Sequence, residues 1–131
     1  MNKEKKLLNK EDIEIDGKKY FISSIPAIQA QRLLMRAFGA FSKGDIAGLS
    51  ADILEELLSY AGAYNPNGAE VQFLDEEIIG MMVSDPAVLM EIEVRMVEKN
   101  FGFLADGRLN RVVERLSRAL APSSPTEKQN T

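Results

Sequence analysis

The chain of 131 residues contains no histidine and no cysteine. Without cysteine it has no disulfides, no iron–sulfur ligands and no thiol nucleophile, and without histidine it lacks the most frequent general base at neutral pH. The missing cysteines are compatible with a cytoplasmic protein but do not by themselves distinguish a reducing from an oxidising compartment. There is no uncharged apolar run of about 18 residues to span a bilayer. The opening, MNKEKKLLNKEDIEIDG, also lacks the continuous apolar stretch of a secretory signal. A soluble, cytoplasmic protein is the expectation.

Chemistry is equally short of material. Metal binding is left to carboxylates, yet Asp75, Glu76 and Glu77 are consecutive, as acids at a helix start are, and do not alternate as calcium ligands do. Glu55 and Glu56 stand in an acidic stretch with nothing to polarise one against the other for acid–base work. The phosphate-loop pattern GxxxxGK[ST] is absent. The expectation is a protein that is not an enzyme, with no cofactor, no metal and no catalytic residue.

Basic residues are scarce in the middle of the chain, where residues 40–90 hold Lys43 alone against nine acids. Further on, Arg108, Arg111, Arg115 and Arg118 recur at spacings that return to one side of a helix. Two oppositely charged surfaces can pair within a molecule, between copies or with a partner, and each can equally be a solvated face. The net charge of -4 and pI near 4.9 disfavour a general nucleic-acid coat. A local basic helix, helped by Lys3, Lys5 and Lys6, keeps nucleic-acid binding open as an alternative.

The 45% hydrophobic content supports one domain with its own core. Residues 1–10 read as a flexible arm, 11–121 as a hairpin plus helical domain, and 122–131 as a disordered tail. Asp16-Gly17 is a type I′ turn signal, which sets Ile13 opposite Tyr20 and gathers Ile13, Ile15, Tyr20 and Ile22 on one face. Helices are expected over Pro26 to Phe38, over SADILEELLSYA with Ser50 as cap, from Asp75 or Glu76 to Val83, from Pro86 to near Lys99, and from Asp106 to Leu120. GAFSKGDIAGL reads as a break in which Phe41 is either a loop anchor or an exposed contact, and AYNPNGAEVQF reads as a turn-rich loop. The expected fold is mainly α, a single helical domain of four or five helices with a short N-terminal β-hairpin. Its core draws on Leu33, Leu34, Ile53, Leu57, Ile92, Met96, Val112 and Leu116. The candidate partner-binding residues are Phe38, Phe41, Phe101 and Phe103, with Arg108, Arg111, Arg115 and Arg118.

The order of a short hairpin with helix entry, IEIDGKKYFISSIPAIQAQRLL, a helical body and then VEKNFGFLADGRLNRVVERL resembles the tail assembly chaperones of long-tailed bacteriophages. Gly17-Lys18-Lys19-Tyr20 corresponds to a G-K-x-Y/F hairpin and Pro26-Ala27-Ile28-Gln29-Ala30 to a P-A-x-x-A helix entry; the resemblance spans roughly residues 13 to 120. It implies a small helical protein of the host cytoplasm that acts in virion morphogenesis, without enzymatic activity. Such a protein binds the tape-measure protein, keeps its apolar segments soluble and delivers it to the tail-tube protein, with self-association expected. The resemblance also implies a longer product made by frameshifting, for which residues 122–131 would be a linker. The alternative is a structural or adaptor subunit retained in the phage particle.

Overall fold

In the computed structural model, residues 4–43, 46–104, 111, 114, 115 and 117–119 are described. The hairpin forms as its turn chemistry requires. Strands β1 (Leu8–Ile15) and β2 (Lys18–Ser24) pair with Ile13 opposite Tyr20 and Ile15 opposite Lys18. Asp16 and Gly17 take φ of 52° and 78°, the left-handed pair that a two-residue turn between twisted strands needs. Ile13, Tyr20 and Ile22 turn inward and are buried, and Ile15 packs at the edge of the core.

The sheet does not end there, and the mainly α expectation is overturned. β3 (Gly62–Tyr64) pairs antiparallel with β2, and β4 (Glu70–Gln72) with β3, giving a four-stranded sheet in the order β1-β2-β3-β4 and a mixed α/β fold. The segment read as a turn-rich loop is a second hairpin. Gly68 at φ 89° donates from its N–H to the Asn65 carbonyl, and the Asn67 side chain accepts from the Ala69 N–H. Strands of three residues are too short to show a period of two, so only the turn residues between them were legible.

The helices are α1 (Ala27–Arg36), α2 (Phe38–Lys43), α3 (Ala51–Leu58), α4 (Glu76–Met82) and α5 (Pro86–Phe101), with short 3-10 turns at Ile46–Gly48 and Gly102–Leu104. Asp75 caps α4 by accepting from Ile78 N–H, and Asp85 caps α5 by accepting from Ala87 N–H, with Pro86 in the first turn where its missing donor costs nothing. Ser50 makes no cap bond and donates to Asp52 instead. The first helix is shorter than its apolar pattern predicts: Ala37, at φ -148° and ψ 44°, breaks it. Phe38–Lys43 then forms a separate helix where a break was expected. The helix expected over Asp106 to Leu120 and the tail lie largely outside the described residues, as do Arg108, Val112 and Leu116.

α5 is the central helix. It lies against β2 and α3 and buries Val88, Ile92, Met96, Val97 and Phe101, while Leu33, Ile53 and Leu57 close the core around it. On the outer face of the sheet Phe21 is also fully buried. Lys5 and Lys10, within the stretch read as an arm, lie against that side of the sheet. β1 already begins at Leu8, and Asn9 at φ 51° bends the chain at an irregularity in the β1–β2 register. The Gln72 side chain accepts from Lys5 N–H and donates to Lys5 C=O, much as a neighbouring strand would. Lys10 lies 5.3 Å from the centroids of the Phe21 and Tyr64 rings and bonds Glu70 and the Tyr64 hydroxyl. These bonds, Glu70's foremost, hold the Lys10 ammonium above the usual lysine range.

Two outcomes follow from this packing. A methyl group at Gly62 would collide with the Val71 carbonyl and the Phe21 ring, and a carbonyl fixed in a sheet cannot swing aside. Gly62→Ala is therefore expected to lower stability by roughly 1–3 kcal/mol in urea unfolding. Glu93 on α5 is 6% exposed and has no hydrogen-bond partner among the described residues, and burial pushes its carboxyl above the usual range. A raised folded-state pKa means that this site's stability is fully present below the unfolded value of about 4.3 and is lost as pH rises through the folded one. Glu93→Gln should accordingly raise the thermal midpoint at pH 7, with the gain shrinking towards zero in melts below about pH 4.

Candidate functional site

The β2–α1 connection builds a large concavity. β2 ends at Ser24, and Ser23 is buried with its hydroxyl donating to the Tyr60 carbonyl at 2.5 Å. Asn100, one residue before the end of α5, reaches across to the exit of the strand. Its side-chain oxygen accepts from Ile25 N–H at 2.7 Å, and its amide donates to the Ser23 carbonyl at 3.1 Å and to the Met96 carbonyl at 3.0 Å. The side chain thus satisfies backbone groups of both elements at once and sets the angle at which α1 leaves the sheet. α1 stands apart from the end of α5, buries only Leu33, and leaves a groove of about 970 Å³ between the two.

One wall of the groove is α1, with Ile28, Gln31, Leu34 and Met35, continued by Phe38 at the start of α2. The other is the end of α5 and the following 3-10 turn, with Lys99, Phe101 and Phe103; Ser24 and Ile25 make the floor. The lips are apolar and open. Ile28 is 60% exposed, Met35 76% and Phe38 48%. The stretch that builds the first wall is basic: residues 27–43 contain Arg32, Arg36 and Lys43 and no acid. Arg36 pairs with Asp52, and Lys99 with Glu11 at 3.2 Å. Arg32, four residues after Ile28 and three before Met35, makes no ion pair among the described residues and stands beside the apolar lip.

The predicted contact residues separate into three groups. Phe38 and Phe103 line the groove. Phe41 is buried at 2% exposure and stacks on Phe101, also 2% exposed, with ring centroids 4.2 Å apart; this pair is core, and of the two only Phe101 touches the groove wall. Arg111, Arg115 and Arg118 are exposed on helical residues, with Arg118 paired to Glu114 at 3.1 Å, and Arg108 lies outside the described residues. Among the described residues, Arg111, Arg115 and Arg118 are not part of the lining that Phe38, Phe101 and Phe103 give the groove. No family model matches the chain, and no curated protein or solved structure matches it either.

Ile28, Met35, Arg32 and Asn100 were not among the contact residues that the sequence singled out. A signal for the first two was present. Ile28, Gln31, Met35 and Phe38 fall at steps of three, four and three, a stripe separate from the one that buries Leu33. Nothing local marked Asn100, whose role depends on a strand end 77 residues away in sequence. Among the described residues no group of acids could hold a metal ion, and no helix is long and apolar enough to cross a membrane. The groove can bind an apolar surface. Asn100→Ala would strand the Ile25 N–H and the Ser23 carbonyl in a largely buried corner, and a loss of roughly 1–3 kcal/mol in denaturant unfolding is expected.

Proposed function

We propose that this chain is a tail assembly chaperone of a long-tailed bacteriophage and that its groove holds an amphipathic helical segment of the tape-measure protein. The observation that carries the reading is the open apolar groove edged by Ile28, Met35 and Phe38. Three large apolar side chains, each about half exposed or more, are grouped around one concavity in a chain of net negative charge. Exposed apolar patches of this kind mark docking surfaces, and a channel between two helical walls suits a third helix lying with its apolar stripe inward. The resemblance at Gly17–Tyr20 and Pro26–Ala30 supplies the client. Those residues form the hairpin and the helix entry that position the groove's α1 wall.

The rim adds a preference. Arg32 has no acid within its own helix or the next, so a client segment with carboxylates flanking its apolar stripe gains a charge contact there, and one with lysines is disfavoured. In this reading the chain works in the host cytoplasm by binding alone. It shields the apolar segments of the tape-measure protein from one another until the tail-tube protein polymerises around them.

Co-expression with the tape-measure protein of the same phage tests the proposal. The wild-type chain is expected to keep that protein soluble and to co-purify with it. Met35→Asp with Phe38→Asp should leave the fold intact by circular dichroism, since both side chains are exposed, yet weaken the complex at least about tenfold by burying charge against an apolar stripe. Folded wild-type protein that neither binds nor solubilises the tape-measure protein would overturn the reading. Stoichiometric retention of the chain in washed, mature virions would favour the structural-subunit alternative instead.

A further inference from the structure

The turn between β3 and β4 holds a reactive pair. Residues 62–72 run GAYNPNGAEVQ, and Asn67-Gly68 is the sole asparagine–glycine dipeptide in the sequence. An asparagine side chain is a carboxamide, and the main-chain nitrogen of the following residue is the nucleophile nearest to its carbonyl carbon. A Cβ on that following residue shields the nitrogen, and glycine has none. Residues 65–70 are all exposed, and nothing stands within 4 Å of the place that a Cβ on Gly68 would take. The turn itself calls for this glycine, because Gly68 sits at φ 89°, in the left-handed region that strains other residues.

The hydrogen bonds of the turn orient the pair. Asn67 Oδ1 accepts from the Ala69 N–H at 3.0 Å, which turns the side-chain carbonyl towards the chain that follows it and draws electron density from the carbonyl carbon. The Gly68 N–H donates to the Asn65 carbonyl at 2.8 Å, so its nitrogen is released for attack when that bond opens. Little holds it shut. β3 and β4 have three residues each, β4 is the outermost strand described, and the residues between them face water. The other described asparagines lack this combination: Asn9 precedes Lys10, Asn65 precedes a proline whose nitrogen has no proton to lose, and both polar atoms of the Asn100 side chain are engaged with the exit of β2.

We propose that Asn67 is a modification site, where spontaneous deamidation converts the turn to isoaspartate and loosens the β3–β4 hairpin. The Gly68 nitrogen loses its proton to solvent hydroxide and bonds to Asn67 Cγ; the Cγ–Nδ2 bond breaks, and Nδ2 leaves as ammonia after taking a proton from water. The product is a five-membered succinimide. Water then opens the ring at either carbonyl: attack at Cγ leaves aspartate, and attack at the main-chain carbonyl carbon leaves isoaspartate, in which the chain runs through the former side chain. Water is the only co-reactant. The extra main-chain methylene breaks the spacing that lets Gly68 reach Asn65, and the new carboxylate joins the nine acids of residues 40–90, where Lys43 is the only base. β4 carries Glu70 and Gln72, the partners of the Lys10 side chain and the Lys5 main chain, so a loosened hairpin weakens both contacts. None of these residues lines the apolar groove, so the site is independent of any client.

The full chain, held at mildly alkaline pH and sampled over days, provides the test, with peptide mapping for the NH2-to-OH mass change and enzymatic methylation for isoaspartate. Residue 67 is expected to convert at least about tenfold faster than any other asparagine, because only its neighbour lacks a Cβ. The converted chain should unfold at a lower urea concentration than the fresh one. Asn67→Ser keeps a side-chain oxygen for the Ala69 N–H but has no carboxamide, and should hold its urea midpoint through the same incubation. Conversion at residue 67 no faster than at the other asparagines would overturn the proposal. So would a converted chain that unfolds at the midpoint of the fresh one, or an Asn67→Ser chain whose midpoint falls as the wild type's does.

Discussion

The structure depends on the burial of strand β2 from both sides. Tyr20 and Ile22 face α5, while Phe21 and Ser23 face the opposite way, and all four are 3% exposed or less. A strand in a small protein is usually half wet, with alternate residues in solvent. Here the outer side is closed by the N-terminal segment, through Lys10 over the Phe21 ring and Gln72 on the Lys5 backbone, and by β3, where Gly62 leaves room for that ring. Three features follow from this burial. The register of β1 is set by the inward residues, β3 must approach closely without a side chain at Gly62, and the buried polar atoms of Ser23 must be satisfied from neighbouring elements.

That last requirement leads to the groove. Asn100 satisfies the Ser23 carbonyl and the Ile25 N–H together, so the chain leaves the sheet along a path held by polar contacts. α1 is then anchored at its root by hydrogen bonds and along its length by the buried Leu33, with Ala30 and Leu34 half-buried beside it. A ten-residue helix with one buried side chain contributes little apolar burial of its own and keeps its second apolar stripe in solvent. That stripe, exposed at a cost in solubility, is the strongest physical ground for a binding function in this chain.

Charge is distributed by the same architecture. The acids of residues 52–85 fall on or at the caps of α3, α4 and α5 and on β4, where Glu70 finds Lys10 and Asp52 finds Arg36 while Glu55 and Glu76 make no ion pair among the described residues. Exposed ion pairs contribute little to stability. Their placement matters more for which surfaces attract one another. An apolar groove beside Arg32 and the acids of α3 and α4 are distinct surfaces that would attract partners of different charge.

Much of this was local and therefore legible in the sequence. Asp16-Gly17 determined the hairpin and its register because only residues tolerant of positive φ fit a two-residue turn, and Asp75 and Asp85-Pro86 marked the starts of α4 and α5. Helical spacing picked out Leu33, Ile53, Leu57, Ile92 and Met96 as core. Tertiary structure alone decided the rest. β3 and β4 are too short for any periodicity and exist because β2 offers them an edge; Phe41 and Phe101 became core by stacking on each other across a chain separation that no local pattern spans. Whether Ile28, Met35 and Phe38 lie in the core or at the lip of a groove was likewise set by where Asn100 holds the exit of β2, because a helix's apolar stripe states only that it will be covered, and the packing of distant elements states by what.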